Sequence, residues 1–222
     1  MSSPYPIRAA LFDMDGLLID SEPLWDQAEI EVIESLGVDV SRRNELPDML
    51  GLRIDLVVDL WYNQQPWQGV TRAEATSRII ERTMTLVAEQ RPLLPGVKHA
   101  VELCQSLDLK IGLASASPLR MLEMVLEIFN LRDAFSVLSS AESLPFSKPH
   151  PQVYLNAASQ LGISPLSCTT LEDSVNGMIA TRAARMRSLV VPAAENQADP
   201  RWVLAHQKLE SLEQLNATHL LG

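Results

Sequence analysis

The stretch that decides the fold is Ala9-Ala10-Leu11-Phe12-Asp13-Met14-Asp15-Gly16. An apolar run from Ile7 to Phe12, interrupted only at Arg8, stops there at two carboxylates spaced by one residue, and a glycine follows at once. A short apolar run that ends at a turn signal predicts a buried strand, and a strand buried on both faces belongs in a parallel sheet covered by helices. Ligands bind beyond the carboxyl ends of such strands, where Asp13 and Asp15 lie.

Two acids this close are costly if both ionise in a dry site. Like charges at about 4 Å repel by roughly 4 kcal/mol at an effective dielectric of 20. A bound cation, or a proton kept on one acid, would offset this repulsion, and either arrangement indicates a metal-binding or reactive site. The alternative is that one Asp caps the turn while the other is solvated.

The composition narrows the function classes. The 222 residues carry a formal net charge of −10, which argues against a nucleic-acid partner but not against a small phosphorylated substrate. The sequence has neither a run of 18 apolar residues nor a signal-peptide pattern in residues 1–6, so we expect a cytoplasmic protein without a membrane partner. Cys104 and Cys168 are expected to be free buried thiols, and a monomer is the expected state.

Helical patterns fill residues 18–90. The first runs from Ser21, as N-cap, to Gly37. A second runs from about Leu52 to Tyr62, and a third from Thr71 to Gln90 opens on a capping-box spacing.

Strands and helices alternate after the linker at residues 91–96. The predicted strands lie at residues 109–114, 135–138, 168–171 and 188–191, and the predicted helices at 97–107, 119–129, 151–161 and 175–184. The fold class is therefore α/β, a doubly wound parallel-sheet core of residues 1–17 and 91–222, Rossmann-like in type. Residues 18–90 form an inserted all-helical cap that would lie over the strand ends, exclude water and select the substrate.

Three more strand ends carry polar groups. Ser115 follows the second strand, and Ser117-Pro118 predicts a helix start with free backbone N–H groups that would suit an anion. Lys148 stands between a serine and Pro149, and Glu172-Asp173 ends a further strand. Taken singly, Ser115 would be a turn residue, Lys148 a surface lysine and Glu172-Asp173 an acidic helix start. Oxygen ligands from separate strands would suit Mg²⁺.

Taken together and in this order, the motifs resemble the haloacid dehalogenase (HAD) superfamily, in its sugar-phosphatase branch with a helical cap. The residues that carry the resemblance are Phe12-Asp13-Met14-Asp15-Gly16, Ser115-Ala116-Ser117, Ser147-Lys148-Pro149 and Leu171-Glu172-Asp173-Ser174-Val175-Asn176-Gly177. The resemblance covers essentially the whole chain. A dehalogenase is disfavoured because that branch lacks the second Asp of the first motif.

The resemblance implies roles for these positions. Asp13 would be the nucleophile that forms an aspartyl phosphate, and Asp15 the general acid and then the base. Mg²⁺, which Mn²⁺ or Co²⁺ could replace, would be held by Asp13, the backbone carbonyl of Asp15 and Asp173, with Glu172 supporting them. The phosphoryl group would be bound by Asp13, Ser115 and Lys148 and by backbone N–H groups near Met14, Asp15 and Ala116.

The implied substrates are sugar and sugar-alcohol phosphates such as 2-deoxyglucose 6-phosphate, sorbitol 6-phosphate and mannitol 1-phosphate. The candidates for specificity in the cap are Glu22, Trp25, Arg53 and Trp61, although the two tryptophans lie on apolar helical faces that also suit core packing.

Two alternatives remain. One is a β-phosphoglucomutase-type phosphosugar mutase, disfavoured because those enzymes carry a His where Trp25 stands and a Lys where Pro118 stands. The other is a phospho-Asp signalling domain without turnover, against which the long insertion after Gly16 argues.

Overall fold

The computed structural model describes residues 5–47, 49 and 51–222. Within them, parallel strands form one sheet in the order β3-β2-β1-β4-β5-β6. The strands are β1 (Ala9–Phe12), β2 (Lys110–Ser115), β3 (Val137–Ser140), β4 (Cys168–Glu172), β5 (Arg187–Val190) and β6 (Gln207–Lys208). The chain builds β1 to β3 outward on one side and then crosses to β4 on the other side of β1. The carboxyl end of β1 therefore lies at the topological switch point, where such sheets bind ligands.

The central strand β1 is buried on both faces, as its unbroken apolar run predicts. Ala10 and Phe12 face one layer, where Phe12 meets Phe135 edge-on with ring centroids 5.9 Å apart. Ala9 and Leu11 face the opposite layer. This two-residue alternation places Asp13 at the end of a strand that packing holds from both sides.

Helices cover both faces of the sheet. In the core they are α4 (Val97–Ser106), α5 (Leu119–Ile128), α6 (Gln152–Leu161), α7 (Val175–Ala183) and the C-terminal α8 (Ala217–Leu221). Among the helices of the described ranges, none is both long and apolar enough to cross a membrane. The two cysteines are free and buried, as expected.

Residues 18–90, which we call the helical insertion, contain α1 (Glu22–Ser35), α2 (Ile54–Gln64) and α3 (Arg72–Gln90), with a 3-10 helix at Val40–Glu45. The two connections to the core lie side by side. The backbone N–H of Asp20 donates to the carbonyl of Pro92 at 2.8 Å, and that of Leu94 to the carbonyl of Leu18 at 3.0 Å. Further contacts reach the core at Arg53, whose Nη1 donates to the carbonyls of Ala141 and Leu144 at 2.7 Å each.

The predicted elements are all present, with shifted ends. β3 begins two residues later than predicted. Phe135 packs its ring against Phe12 but lies outside the strand. The helix start predicted at Ser117 was wrong, since Pro118 is the N-cap of α5. Ser21 does occupy the N-cap of α1 but makes no capping hydrogen bond, whereas Thr71 accepts one from the backbone N–H of Glu74 as predicted. Of residues 1–6, in which no signal-peptide pattern was found, residues 1–4 lie outside the described residues.

Candidate active site

The carboxyl ends of β1, β2 and β4 open onto a cavity of about 500 Å³ between the sheet and the helical insertion. Asp13 follows β1, Ser115 ends β2, and Glu172 ends β4 with Asp173 directly after it. The cavity lining includes Asp13, Asp15, Ser115, Ala116, Lys148 and Asp173 from the core and Glu22, Trp25, Glu29, Arg43, Asn44 and Arg53 from the insertion. The structure thus brings together strand ends that are up to 160 positions apart in the chain.

Lys148 lies at the centre of the acidic site and is almost completely buried. Its Nζ is 2.8 Å from Asp13 Oδ1 and 2.7 Å from Glu172 Oε1. Burial alone would lower the pKa of this lysine, but the charges of Asp13 and Glu172 raise it above its usual range, so the ammonium stays protonated. The alternative interpretation of Lys148 as a surface lysine is therefore wrong.

Glu172 is held by several donors. Oε1 accepts from Lys148 and from the hydroxyl of Tyr154, and Oε2 accepts from the backbone N–H of Asp173 at 3.2 Å and the hydroxyl of Ser174 at 3.3 Å. This carboxylate fixes the ammonium of Lys148 in place, since it is itself fixed by its neighbours.

Asp13, Glu172 and Asp173 form a cluster in which carboxylate oxygens from the three residues lie within 4.8 Å of one another. Burial, followed by the charge of Glu172, raises the pKa of Asp13 to about 8. Burial and then the charges of Glu172 and Asp13 raise the pKa of Asp173 well above its usual range. The ion pair with Lys148 leaves Asp13 Oδ1 buried without an aligned hydrogen bond from any described residue. One ammonium therefore faces three buried acids.

Asp15 has a different environment. Oδ1 accepts from Ser21 Oγ at 2.7 Å and from Trp25 Nε1 at 2.9 Å, and Oδ2 accepts from Ser117 Oγ at 2.7 Å and Ser115 Oγ at 3.2 Å. The hydroxyls of Ser21 and Ser117, both predicted to mark helix starts, are therefore used by this carboxylate. Ser115 also points at Asp15 rather than being a simple turn residue.

Backbone N–H donors also lie at the ends of β1 and β2. The N–H groups of Met14, Asp15 and Ala116 donate to no acceptor in the described part of the chain. Unpaired N–H groups that converge at a strand end form a ready site for an anion. The Met14 side chain itself is buried in the core.

Two glycines let the backbone approach the acids. Gly16 has a φ of +70°, and a Cβ there would lie 2.1 Å from Asp173 Oδ2. A Cβ on Gly177 would lie 1.9 Å from Glu172 Oε1. Any side chain at either position would displace a carboxylate of the cluster.

The candidates in the helical insertion divide into two groups. Glu22, Trp25 and Arg53 line the cavity. Burial and the charge of Asp15 raise the pKa of Glu22 to about 8. Trp61 is fully buried, as core packing predicted, and its Nε1 donates to Glu29 Oε1 at 2.8 Å.

Four residues of this site were not predicted from the sequence: Tyr154, Ser117 as a side-chain donor, Glu29 and Arg43. Tyr154 and Glu29 lie on buried helix faces, where a tyrosine is an ordinary core residue but a glutamate is not. An acid among the apolar positions of α1 was therefore a usable signal.

Residues 7–185 match the haloacid dehalogenase-like hydrolase family, and the chain belongs to this family. It is 67% identical to hexitol phosphatase B of Escherichia coli K12, with all of both chains covered. Among solved structures it resembles CbbY from Rhodobacter sphaeroides in complex with phosphate, with a TM-score of 0.85, 25% identity and 96% and 99% of the two chains covered. It also resembles β-phosphoglucomutase from Clostridium difficile, with a TM-score of 0.82, 25% identity and 96% and 95% coverage. The superfamily resemblance and the fold class are thus confirmed, and the chain is a hydrolase.

Proposed function

We propose that this hydrolase is a Mg²⁺-dependent phosphatase of sugar and sugar-alcohol phosphates. We expect it to act on 2-deoxyglucose 6-phosphate and on hexitol phosphates such as sorbitol 6-phosphate and mannitol 1-phosphate. The observation that carries the proposal is the buried Asp13, in contact with the Lys148 ammonium and next to backbone N–H groups at the strand ends that donate to no described acceptor. The full-length similarity to a hexitol phosphatase supports the substrate class.

The acids of the site fit a divalent cation. When ionised, Asp13, Glu172 and Asp173 would carry three negative charges against the one ammonium of Lys148, and Asp13 Oδ1 lacks an aligned hydrogen bond among the described residues. Carboxylate and carbonyl oxygens are the ligands that Mg²⁺ prefers. Asp13, Asp173 and the backbone carbonyl of Asp15 would hold the ion, with Glu172 supporting them through Lys148. When bound, the ion neutralises charge on the phosphoryl oxygens.

Asp13 would attack the phosphorus atom and form an aspartyl phosphate. Lys148 and the N–H groups of Met14, Asp15 and Ala116 would orient the phosphoryl oxygens and offset their charge, which is the main requirement of phosphoryl transfer. Ser115 would take part once its hydroxyl turns from Asp15 to the phosphoryl group.

Asp15 would protonate the leaving oxygen and then accept a proton from the attacking water. Its four hydrogen bonds come from hydroxyl and indole groups, whereas Asp13 lies among buried carboxyl groups and one ammonium. Two acids with such different surroundings can take different roles, one as nucleophile and one as acid and base.

The helical insertion, residues 18–90, would act as a cap over the core of residues 1–17 and 91–222. It supplies one side of the cavity and reaches across it at Arg53. Such a cap excludes water and places specificity residues, here Glu22, Trp25 and Arg53, over the phosphoryl site. We expect a cytoplasmic monomer, with no nucleic-acid or membrane partner.

The structural resemblance to β-phosphoglucomutase supports the alternative that the protein is a phosphosugar mutase. Against it, Trp25 donates an indole N–H to Asp15, and an indole neither accepts nor transfers a proton at this position. The position where mutases carry a His therefore holds a group with no acid-base chemistry.

The test is phosphate release from a panel of hexose, deoxyhexose and hexitol phosphates, with and without Mg²⁺, and with β-glucose 1-phosphate included. We expect Mg²⁺-dependent release from the 6-phosphates and hexitol phosphates, abolished in Asp13→Asn and retained in Asp133→Asn, which changes an exposed Asp. Conversion of β-glucose 1-phosphate to the 6-phosphate with little release would establish the mutase instead. Undiminished release in Asp13→Asn would overturn the nucleophile assignment.

A further inference from the structure

Glu29 is a buried acid within the helical insertion. It lies on the apolar face of α1, and only 5% of its side chain is exposed. Trp61 Nε1 and Arg43 Nε donate to the same carboxylate oxygen, Oε1, at 2.8 and 3.1 Å. Arg43 also pairs with Asp26 at the outer edge. The position and orientation of Glu29 are thus fixed by two donors.

The second oxygen of Glu29, Oε2, accepts no hydrogen bond from any side chain or backbone group in the described ranges. Glu29 nevertheless lines the cavity that also contains Asp13 and Lys148. A buried carboxylate is costly and contributes little to stability even when it is paired, so stability alone is a weak reason for its presence. An acceptor with free lone pairs that borders a ligand cavity has a direct use in binding.

We propose that Glu29 determines specificity by accepting a hydrogen bond from a substrate hydroxyl, an inference that rests on the proposed phosphatase function. The phosphoryl-binding groups lie at the strand ends of the core, whereas Glu29 lies in the helical insertion. The part of the substrate that reaches Glu29 is therefore the part away from the phosphate, which in a hexose or hexitol phosphate carries hydroxyl groups.

The chemistry of the position selects for a neutral polyol end. An ionised carboxylate only accepts hydrogen bonds, so it suits a hydroxyl and repels a second phosphate. Arg43 does not reverse this preference, since its guanidinium is already paired with both Glu29 and Asp26. A site that is built to bind a hydroxyl discriminates strongly against compounds that lack it, because its own polar groups are then left unpaired.

Glu29→Gln is the decisive variant. The amide oxygen must occupy the Oε1 position to accept from Trp61 and Arg43, which puts the amide NH₂ where Oε2 was and replaces an acceptor by a donor. We expect kcat/KM for sorbitol 6-phosphate to fall about tenfold to a hundredfold, mainly through KM, as expected for the loss of a hydrogen bond to a charged group. With p-nitrophenyl phosphate, which has no such hydroxyl, kcat/KM should change less than about twofold.

The matched control is Glu31→Gln. Glu31 lies on the same helix and pairs with Arg82 as Glu29 pairs with Arg43, but it is exposed and outside the cavity lining. It should leave both substrates unaffected. Glu29→Asp, which keeps the charge but shortens the side chain, should lose part of the hexitol activity and none with p-nitrophenyl phosphate.

Equal losses on both substrates in the two Glu29 variants, or no loss on either, would overturn the role of Glu29 in specificity. Failure of the proposed function gives a different result: wild-type protein that hydrolyses p-nitrophenyl phosphate but no sugar or hexitol phosphate.

Discussion

Lys148→Met should destabilise the protein in a strongly pH-dependent way. The substitution removes the one ammonium between two buried carboxylates, at 2.8 Å from Asp13 and 2.7 Å from Glu172. At an effective dielectric of about 20, each contact is worth about 6 kcal/mol of attraction, most of which offsets the cost of burying the charges. Removing one member of such a buried pair typically costs about 3–5 kcal/mol.

The pH dependence follows from the carboxyl groups. Burial and the charge of Glu172 already raise the pKa of Asp13 to about 8, and without the ammonium it rises further. A carboxyl whose pKa is raised by folding binds its proton in the folded state and releases it on unfolding, so stability falls as the pH rises above the unfolded value. The folded wild-type protein releases this proton at about pH 8, whereas the folded variant keeps it to higher pH, so the loss in Lys148→Met should grow above pH 8 and be larger at pH 9.5 than at pH 6 by up to about 2 kcal/mol.

Urea unfolding in buffers that contain EDTA measures this at both pH values. With a slope of about 3 kcal/mol per molar urea, the midpoint should fall by about 1 to 1.5 M at pH 6 and by up to about 0.7 M more at pH 9.5. The control is Lys98→Met, which removes an exposed lysine on α4 and should shift the midpoint little at either pH. If Lys148→Met destabilises no more than Lys98→Met does, or equally at pH 6 and pH 9.5, the electrostatic reasoning is refuted.

Three further predictions concern other parts of the structure. Burial and the charge of Asp15 raise the pKa of Glu22 to about 8, so its carboxyl binds a proton in the folded state that the unfolded chain releases above about pH 4.5. In the same urea assay, Glu22→Gln should therefore stabilise the metal-free protein at pH 9, by at most about 5 kcal/mol, but not at pH 4. Gly177→Ala should displace the Glu172 carboxylate and lower kcat by more than about tenfold, with a stability loss of about 1–3 kcal/mol; wild-type kcat would contradict the close approach. Phe135→Ala should cost about 3–5 kcal/mol in the unfolding free energy, since it leaves a cavity beside Phe12, and a cost below about 1 kcal/mol would show that the ring pair is not part of a close-packed core.

The order of strands and helices could be predicted because it rests on local patterns. The run at residues 9–12 is apolar throughout, as a strand covered on both faces requires, and the structure buries all of Ala9–Phe12. The spacing of Thr71 and Glu74 likewise predicted a capping contact that is present.

Contacts between distant segments could not be predicted in this way. Ser21 and Ser117 look like N-caps in sequence, yet both donate to Asp15, from 6 and 102 positions away. Both residues have the composition of a helix start, and only the fold determines that a carboxylate competes for their hydroxyls. Tyr154 was missed for the same reason, since its partner Glu172 lies 18 positions further along the chain.

The hydrogen bonds of Asp15 have a consequence for how the two parts of the protein communicate. Two donors, Ser21 and Trp25, belong to the helical insertion, and two, Ser115 and Ser117, belong to the core. The Asp15 carboxylate has all four partners only while the helical insertion and the core keep this relative position. A rotation of the insertion about its paired connections at Asp20 and Pro92 would move Trp25 relative to Asp15 while leaving Ser115 and Ser117 in place. The geometry of one side chain thus records whether the cavity is assembled, at the residue proposed to move the proton.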